Sequence, residues 1–293
     1  MTIFSGASNL VHFRINRSFA VLTIVLALSM LALGQEPVNT ETNKPAPTPT
    51  PAATPVPLSA EAAKEAAKNP TAEQIVETSI FLYGFGGGRN ALNQIRRTAL
   101  ERGRTSVLGA DGKMEQASYQ KWTTRGESLA KEKVRLDQEF PSARYSLIYS
   151  DDKTFGIFNN SAFTPNDAAA RAFHHQIFYG LESLLRYKEN GATLTLVGKD
   201  KIGGVDLHVV DVTDKQNRKI RYYLSAKSFR VLMLDYEDGG VKYRRKYYDY
   251  NPAQGTLFPF RTVLYADGKV VEETDIGTVT YGQKIEDNMY STP

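Results

Sequence analysis

The stretch "KIRYYLSAKSFRVLMLDYEDGGVKYRRKYYDY", Lys219 to Tyr250, contains three strands in succession. In its first part Lys219 and Arg221 alternate with Ile220, Tyr222 and Leu224, the period of two that gives a strand one wet face and one apolar face. "FRVLMLDY" follows as a second run, and Asp238-Gly239-Gly240 is a tight-turn signal. In "VKYRRKYYDY" Lys242, Arg244 and Lys246 share one face and Val241, Tyr243 and Tyr247 the other, with Arg245 a cation on the otherwise apolar side. Connections this short cannot hold the crossover that a parallel pair requires, so the strands are antiparallel.

The same pattern extends in both directions. "ATLTLVG" and "GVDLHVVDVT" precede this stretch; "TLFPFRTVLY" and "VVEETDIGTVTY" follow it, the last two separated by "ADGK" at Ala266 to Lys269. Earlier come "TALERGRTSVL", another "ADGK" at Ala110 to Lys113, "MEQASYQKWTTR", "SLAKEKVRLDQEF", "RYSLIYS" and "TFGIF", punctuated by Gly126, Pro141, Asp151 and Asp152. Between the two sets, "TPNDAAARAFHHQIFYGLESLLRYKENG" places Phe173, Ile177, Leu181, Leu184 and Leu185 at helical spacing, with Gly180 a bend or break and Gly191 the stop. A sheet of about a dozen antiparallel strands curls toward closure or around whatever it holds.

A helix precedes the strands. Thr71 and Gln74 have capping-box spacing, and Ile75, Val76, Ile80 and Tyr83 fall on one helical face. "YGFGGGRNAL", Tyr83 to Leu92, resembles a phosphate loop in its glycines, but it follows a helix and lacks the Lys-Ser/Thr of a P-loop. It is read instead as a helix cap and a reversal into a second short helix from Arg89 to Ile95.

The folded domain is expected over residues 70–293. Before it, residues 58–69 read as a polar helical linker, and residues 35–57, rich in Pro, Thr and Ala, as a semi-rigid spacer. Residues 1–34 carry Arg14 and Arg17, then "SFAVLTIVLALSMLALG", then small residues at Ala32 and Gly34: a signal peptide, or else an uncleaved inner-membrane anchor. Removing them leaves 34 basic against 32 acidic residues, so net charge gives no case for nucleic acid.

No cysteine is present, which removes disulfides, thiolate catalysis and cysteine lipidation. The histidines are His12, His174, His175 and His208; the adjacent pair diverges on a helix, and no metal-binding spacing exists. Neither a G-x-S-x-G elbow nor an S-x-x-K signature occurs. The expectation is a protein without enzymatic activity, metal or cofactor. Lys219, Arg221, Lys242, Arg244 and Lys246 form either a solvated cationic face or a basic rim for anionic headgroups or an acidic partner.

"GKDKIGGVDLHVVDV", "IRYYLSAKSFRVLMLDYE", "YYDYNPAQGTLFPFRTVLYADGKVVEETDIGTVTY" and the closing "IEDNMYSTP" resemble the outer-membrane lipoprotein-sorting (LolA/LolB-like) superfamily. The likeness covers roughly residues 70–293. It implies an α+β, mainly antiparallel fold: a strongly curved, incomplete β-barrel with an N-terminal helix and a mid-chain helical lid, enclosing an apolar cavity for lipid or lipoprotein acyl chains in the periplasm. Candidate cavity residues are Phe173, Ile177, Phe178 and Leu181 from the helices and Ile220, Tyr222, Leu224 and Tyr243 from strands, each of which plain core packing explains equally well. The spacer departs from the carrier pattern, and without cysteine the chain is no lipid-anchored acceptor of the LolB kind. Two readings stay open: a monomeric periplasmic carrier, or a membrane-tethered interaction or sensor module that meets envelope membrane proteins.

Overall fold

In the computed structural model, residues 69–109 and 111–293 are described. The signal or anchor, the spacer and nearly all of the polar linker expected over 1–69 lie outside them. Helix α1 (Ala72–Tyr83) opens on Thr71, whose hydroxyl accepts from the Gln74 amide while the Gln74 side chain accepts from the Thr71 amide. The expected apolar face, Ile75, Val76, Ile80 and Tyr83, is buried. Thr71→Ala removes one partner of this reciprocal cap and is expected to cost about 1 kcal/mol, measured as a shift in the urea midpoint at constant slope.

At the glycine-rich stretch the chain leaves α1 through a C-cap at Gly84 and enters α2 (Gly88–Ile95). A Cβ at Gly84 would stand 2.5 Å from the Gly88 carbonyl oxygen, so this glycine lets the two helix ends touch. The stretch is a helical corner.

Among the described residues thirteen antiparallel strands follow, in two meanders. The first comprises β1 (Thr98–Leu108), β2 (Met114–Thr124), β3 (Lys133–Glu139), β4 (Arg144–Ser150), β5 (Lys153–Phe158) and β6 (Ser161–Phe163). Helices α3 (Asp167–Phe178) and α4 (Leu181–Leu185) come next, broken at Gly180. The second meander comprises β7 (Thr193–Ile202), β8 (Val205–Thr213), β9 (Lys219–Ser225), β10 (Val231–Asp238), β11 (Val241–Ala253), β12 (Thr256–Ala266) and β13 (Lys269–Tyr281). Strands β1 and β13 pair, fusing the meanders into one sheet in the order β6-β5-β4-β3-β2-β1-β13-β12-β11-β10-β9-β8-β7.

Two details differ from the sequence reading. "SLAKEKVRLDQEF" becomes strand only at Lys133, because Leu129–Lys131 forms a short 3-10 turn. A further short strand, β6, is reached through Asn159-Asn160, both at positive φ (48° and 60°), in the conformation that a two-residue hairpin demands. Asn tolerates that region better than most residues, so the pair was a readable turn signal.

Sheet order dictates the position of the helices. Strands β6 and β7 are opposite edges of the sheet yet neighbours in sequence, so the segment joining them must cross the open side. It crosses with its apolar residues inward: Phe173, Ile177, Leu181, Leu184 and Leu185 join Val134, Leu136, Val210, Tyr222 and Leu234 in one buried cluster. The sheet is thus an unclosed, curved barrel whose mouth is covered by helix. Bulges help it bend. At the β1 bulge, a Cβ on Gly103 would lie 2.2 Å from the Asp275 carbonyl oxygen, so only glycine admits β13 there.

The outer face carries cross-strand charge pairs. Arg221 Nε donates to Asp211 Oδ1 at 2.7 Å and Arg244 Nη2 to Asp235 Oδ2 at 2.6 Å, linking β8 to β9 and β10 to β11. Among the described residues no helix is long and apolar enough to cross a membrane.

Candidate functional site

Between the helical cover and the inner sheet face lies a cavity of about 200 Å³. Its apolar wall includes Leu129, Val134 and Leu136 from the first meander and Phe258, Ile276 and Val279 from the second. Alternation supplies these groups: in β3, Val134 and Leu136 are buried, while Arg135 and Asp137 turn outward and pair at 2.7 Å.

Of the residues singled out in the sequence, Phe173, Ile177 and Leu181 line this cavity. Ile220, Tyr222 and Leu224 lie in the packed core; the Tyr222 hydroxyl donates to the Gly180 carbonyl at 2.7 Å, holding the break between α3 and α4. Burial raises the Tyr222 phenol well above its ordinary value, so it remains a donor. Phe178 packs edge-on to Tyr149 and lies beneath the Arg218 guanidinium at 4.1 Å. Tyr243 stacks on Tyr236 outside the cavity lining.

The basic residues Lys219, Arg221, Lys242, Arg244 and Lys246 come together on an open groove of about 770 Å³ around the β9–β11 end of the sheet. Two carboxylates meet these five cations: Lys219 and Arg221 both bind Asp211 and Arg244 binds Asp235, while Lys246 sits 5.1 Å from the centre of the Tyr265 ring, so the set keeps a positive excess.

The cover is held by three consecutive side chains of α3. His174 Nε2 shares a 2.7 Å hydrogen bond with Thr154 Oγ1 of β5, and His175 Nε2 a 2.8 Å one with Asp238 Oδ2 of β10. Gln176 Nε2 donates to Glu272 Oε2 of β13 at 3.3 Å. The divergence that keeps the histidines from sharing a metal lets them reach opposite halves of the sheet. Among the described residues no cluster of three His, Asp or Glu side chains is placed to hold a metal.

Burial lowers the His175 pKa below its ordinary 6.5 against the pull of Asp238, with Arg245 and Arg171 adding repulsion; burial and Arg218 lower that of His174. For groups whose folded pKa is depressed in this way, the neutral form is the one the fold holds. Their stabilisation is complete above about pH 6.5 and declines as pH falls through the depressed values. Amide exchange in Asp167–Phe178, corrected for intrinsic rate, is therefore expected to be faster at about pH 5 than at about pH 7.5, while α1 changes less. Replacing both histidines by Gln removes the difference.

The polar end of the cavity is ionic. Arg96 Nη1 donates to Glu182 Oε1 at 2.7 Å and Arg125 Nη2 to Glu182 Oε2 at 2.5 Å, clamping α4 to the two chain segments that flank β1 and β2. Burial alone would raise the Glu182 carboxyl, but Arg125, Arg96 and Arg186 outweigh it and hold it down at about 2. Behind it Arg186 pairs with Glu132 and donates to the Gly126 carbonyl at 2.6 Å. On the facing wall Glu101 accepts from Tyr119 at 2.7 Å and from Lys121 at 3.0 Å. The site is an apolar slot with ion pairs along its margins.

Sequence reasoning missed most of the first-meander wall, although the alternation in "KVRLDQ" exposed Val134 and Leu136 as inward residues. The ionic partners belong to distant segments, Arg96 with Glu182 and Arg186 with Glu132, and nothing local marks them.

No family model and no curated protein matches the chain. Solved structures do. A DUF1329 family protein from Desulfovibrio piger superposes with a TM-score of 0.55 at 11% identity, covering 75% of this chain and 97% of that one. A LolA superfamily protein from Nitrosomonas europaea superposes with a TM-score of 0.52 at 11% identity, again covering 75% and 97%. At that identity the likeness is one of fold. With its curved, unclosed antiparallel sheet and its helices across the mouth, the chain has the fold of the LolA superfamily.

Proposed function

We propose that the protein binds and carries acyl chains of lipids or lipoproteins in the bacterial periplasm, as a monomer and without enzymatic turnover. The observation that carries this reading is the cavity: about 200 Å³, with an apolar wall and an ionic end, and partly roofed by a helical segment that the topology carries across the open side of the sheet. Such a volume exceeds the roughly 150 Å³ void that admits benzene and falls below the roughly 300 Å³ of ordinary ligand pockets. The cavity as it stands therefore takes a short length of hydrocarbon, and a longer chain displaces α3. That displacement breaks the α3 hydrogen bonds, about 1 kcal/mol each, and uncovers the buried Phe173, Ile177 and Phe178, so the roughly 0.8 kcal/mol from each methylene buried in the cavity must offset several kcal/mol.

The test is native mass spectrometry of the full chain purified from a periplasmic fraction without detergent, followed by lipid extraction. Co-purifying lipid or acylated peptide is the expected result. A clean apo mass, with no uptake of a fluorescent fatty acid, overturns the reading and favours a tethered interaction module.

A further inference from the structure

Arg245 sits on the inner face of β11, lines the cavity, and is almost completely buried. Of its guanidinium donors, Nη1 binds Glu272 Oε1 at 3.1 Å. Nε and Nη2 are shielded from water and have no hydrogen-bond partner among the described residues. These two nitrogens form one edge of the guanidinium, whose parallel N–H bonds match the two oxygens of a carboxylate.

An uncommitted donor edge is costly in a protein interior. Leaving buried donors unmade forfeits their hydration, and well-packed apolar residues in place of a buried ion pair are often at least as stable. Elsewhere around the cavity the cations are engaged: Arg96 and Arg125 on Glu182, Lys121 on Glu101. The counter-ion Glu272 is itself occupied, with one oxygen on Arg245 and the other on Gln176 of the cover. In this structure the Nε/Nη2 edge is covered by protein rather than facing the open volume; α3 lies beside it, since its Gln176 shares Glu272 with Arg245, so a ligand would reach the edge only as α3 lifts.

Resting on the acyl-carrier reading, we propose that Arg245 is the polar anchor of this cavity, and that its Nε/Nη2 edge takes the carboxylate of a free fatty acid whose chain lies along the wall formed by Ile177, Leu136 and Ile276. The preferred ligand is then an unesterified, singly charged amphiphile. An acyl ester presents a single carbonyl acceptor to a two-donor edge and carries no charge.

The test compares decanoate with methyl decanoate by titration calorimetry on the full chain. Decanoate is expected to bind at least about tenfold more tightly, the difference a charge-assisted bidentate contact supplies. In Arg245→Gln/Glu272→Gln, which removes both charges together and leaves no unpaired ion, decanoate falls to the affinity of the ester. Equal affinities in the unmodified protein, a comparison that requires no variant, overturn the assignment while leaving the carrier reading intact. A preference that survives in the double variant also overturns it. Binding of neither ligand overturns the carrier reading itself, and the anchor with it.

Discussion

Arg186→Met is expected to destabilise the protein by about 3–5 kcal/mol, the range for breaking a buried ion pair by removing one partner. Arg186 is 2% exposed and Glu132 6% exposed, and the pair joins the segment after α4 to the turn before β3. Without Arg186 the buried Glu132 must either stay ionised and unpaired or take up a proton, and the Gly126 carbonyl loses its donor. For a domain of this size each kcal/mol moves the melting temperature by about 2–4 °C, so the variant should melt about 6–20 °C lower. Adding Glu132→Leu should restore most of the loss, because an apolar pair of similar volume avoids the desolvation that the ion pair suffers.

The cost also depends on pH. Burial pushes the Glu132 carboxyl up to about 7 against the pull of Arg186, so the folded state already holds a proton more readily than the unfolded chain does. Stability from this group is greatest at low pH and declines as pH rises from about 4.5 through about 7. In Arg186→Met the folded value rises further. The deficit should therefore be largest above about pH 7 and shrink in mild acid, where Glu132 is neutral. A deficit independent of pH would show that Glu132 is not the group left stranded.

Ala99→Phe is expected to abolish acyl binding while leaving the fold intact or stabilised. Ala99 lines the cavity from β1, opposite Thr123 of β2 and Tyr281 of β13, where a larger apolar side chain occupies space the ligand would use. Displacing about four methylenes forfeits about 3 kcal/mol, more than a hundredfold in affinity. Filling an apolar void also tends to raise stability, which separates this outcome from misfolding. The check is fatty-acid titration beside a thermal melt: unchanged affinity in the variant would place the binding site elsewhere.

The strand series, the antiparallel pairing and the helical interruption were legible because each rests on local chemistry. Period-two alternation wrote the faces of β9 and β11, Asp267-Gly268 and Gly239-Gly240 wrote the hairpins, and Thr71 with Gln74 wrote the start of α1. Part of the cavity lining was legible too, since Phe173 and Ile177 stand one turn apart on α3 and Leu181 opens α4. Two things were not. The pairing of β1 with β13, which sets the curvature and brings Ala99 and Ile276 into one cavity, joins segments about 175 residues apart and leaves no local mark. Ile220 and Leu224 alternate as a cavity wall would, but alternation reports only the inward face and cannot distinguish a packed interior from a hollow one.

The central claim is that hydrocarbon lies between α3 and the inner sheet face. The most direct measurement is a crystal structure of the full chain grown with a terminally brominated fatty acid, in which anomalous scattering locates the bromine. A peak among Ile177, Leu136 and Ile276 is the predicted result. A bromine confined to the basic groove of Lys242 and Lys246, or to the protein surface, would contradict the account.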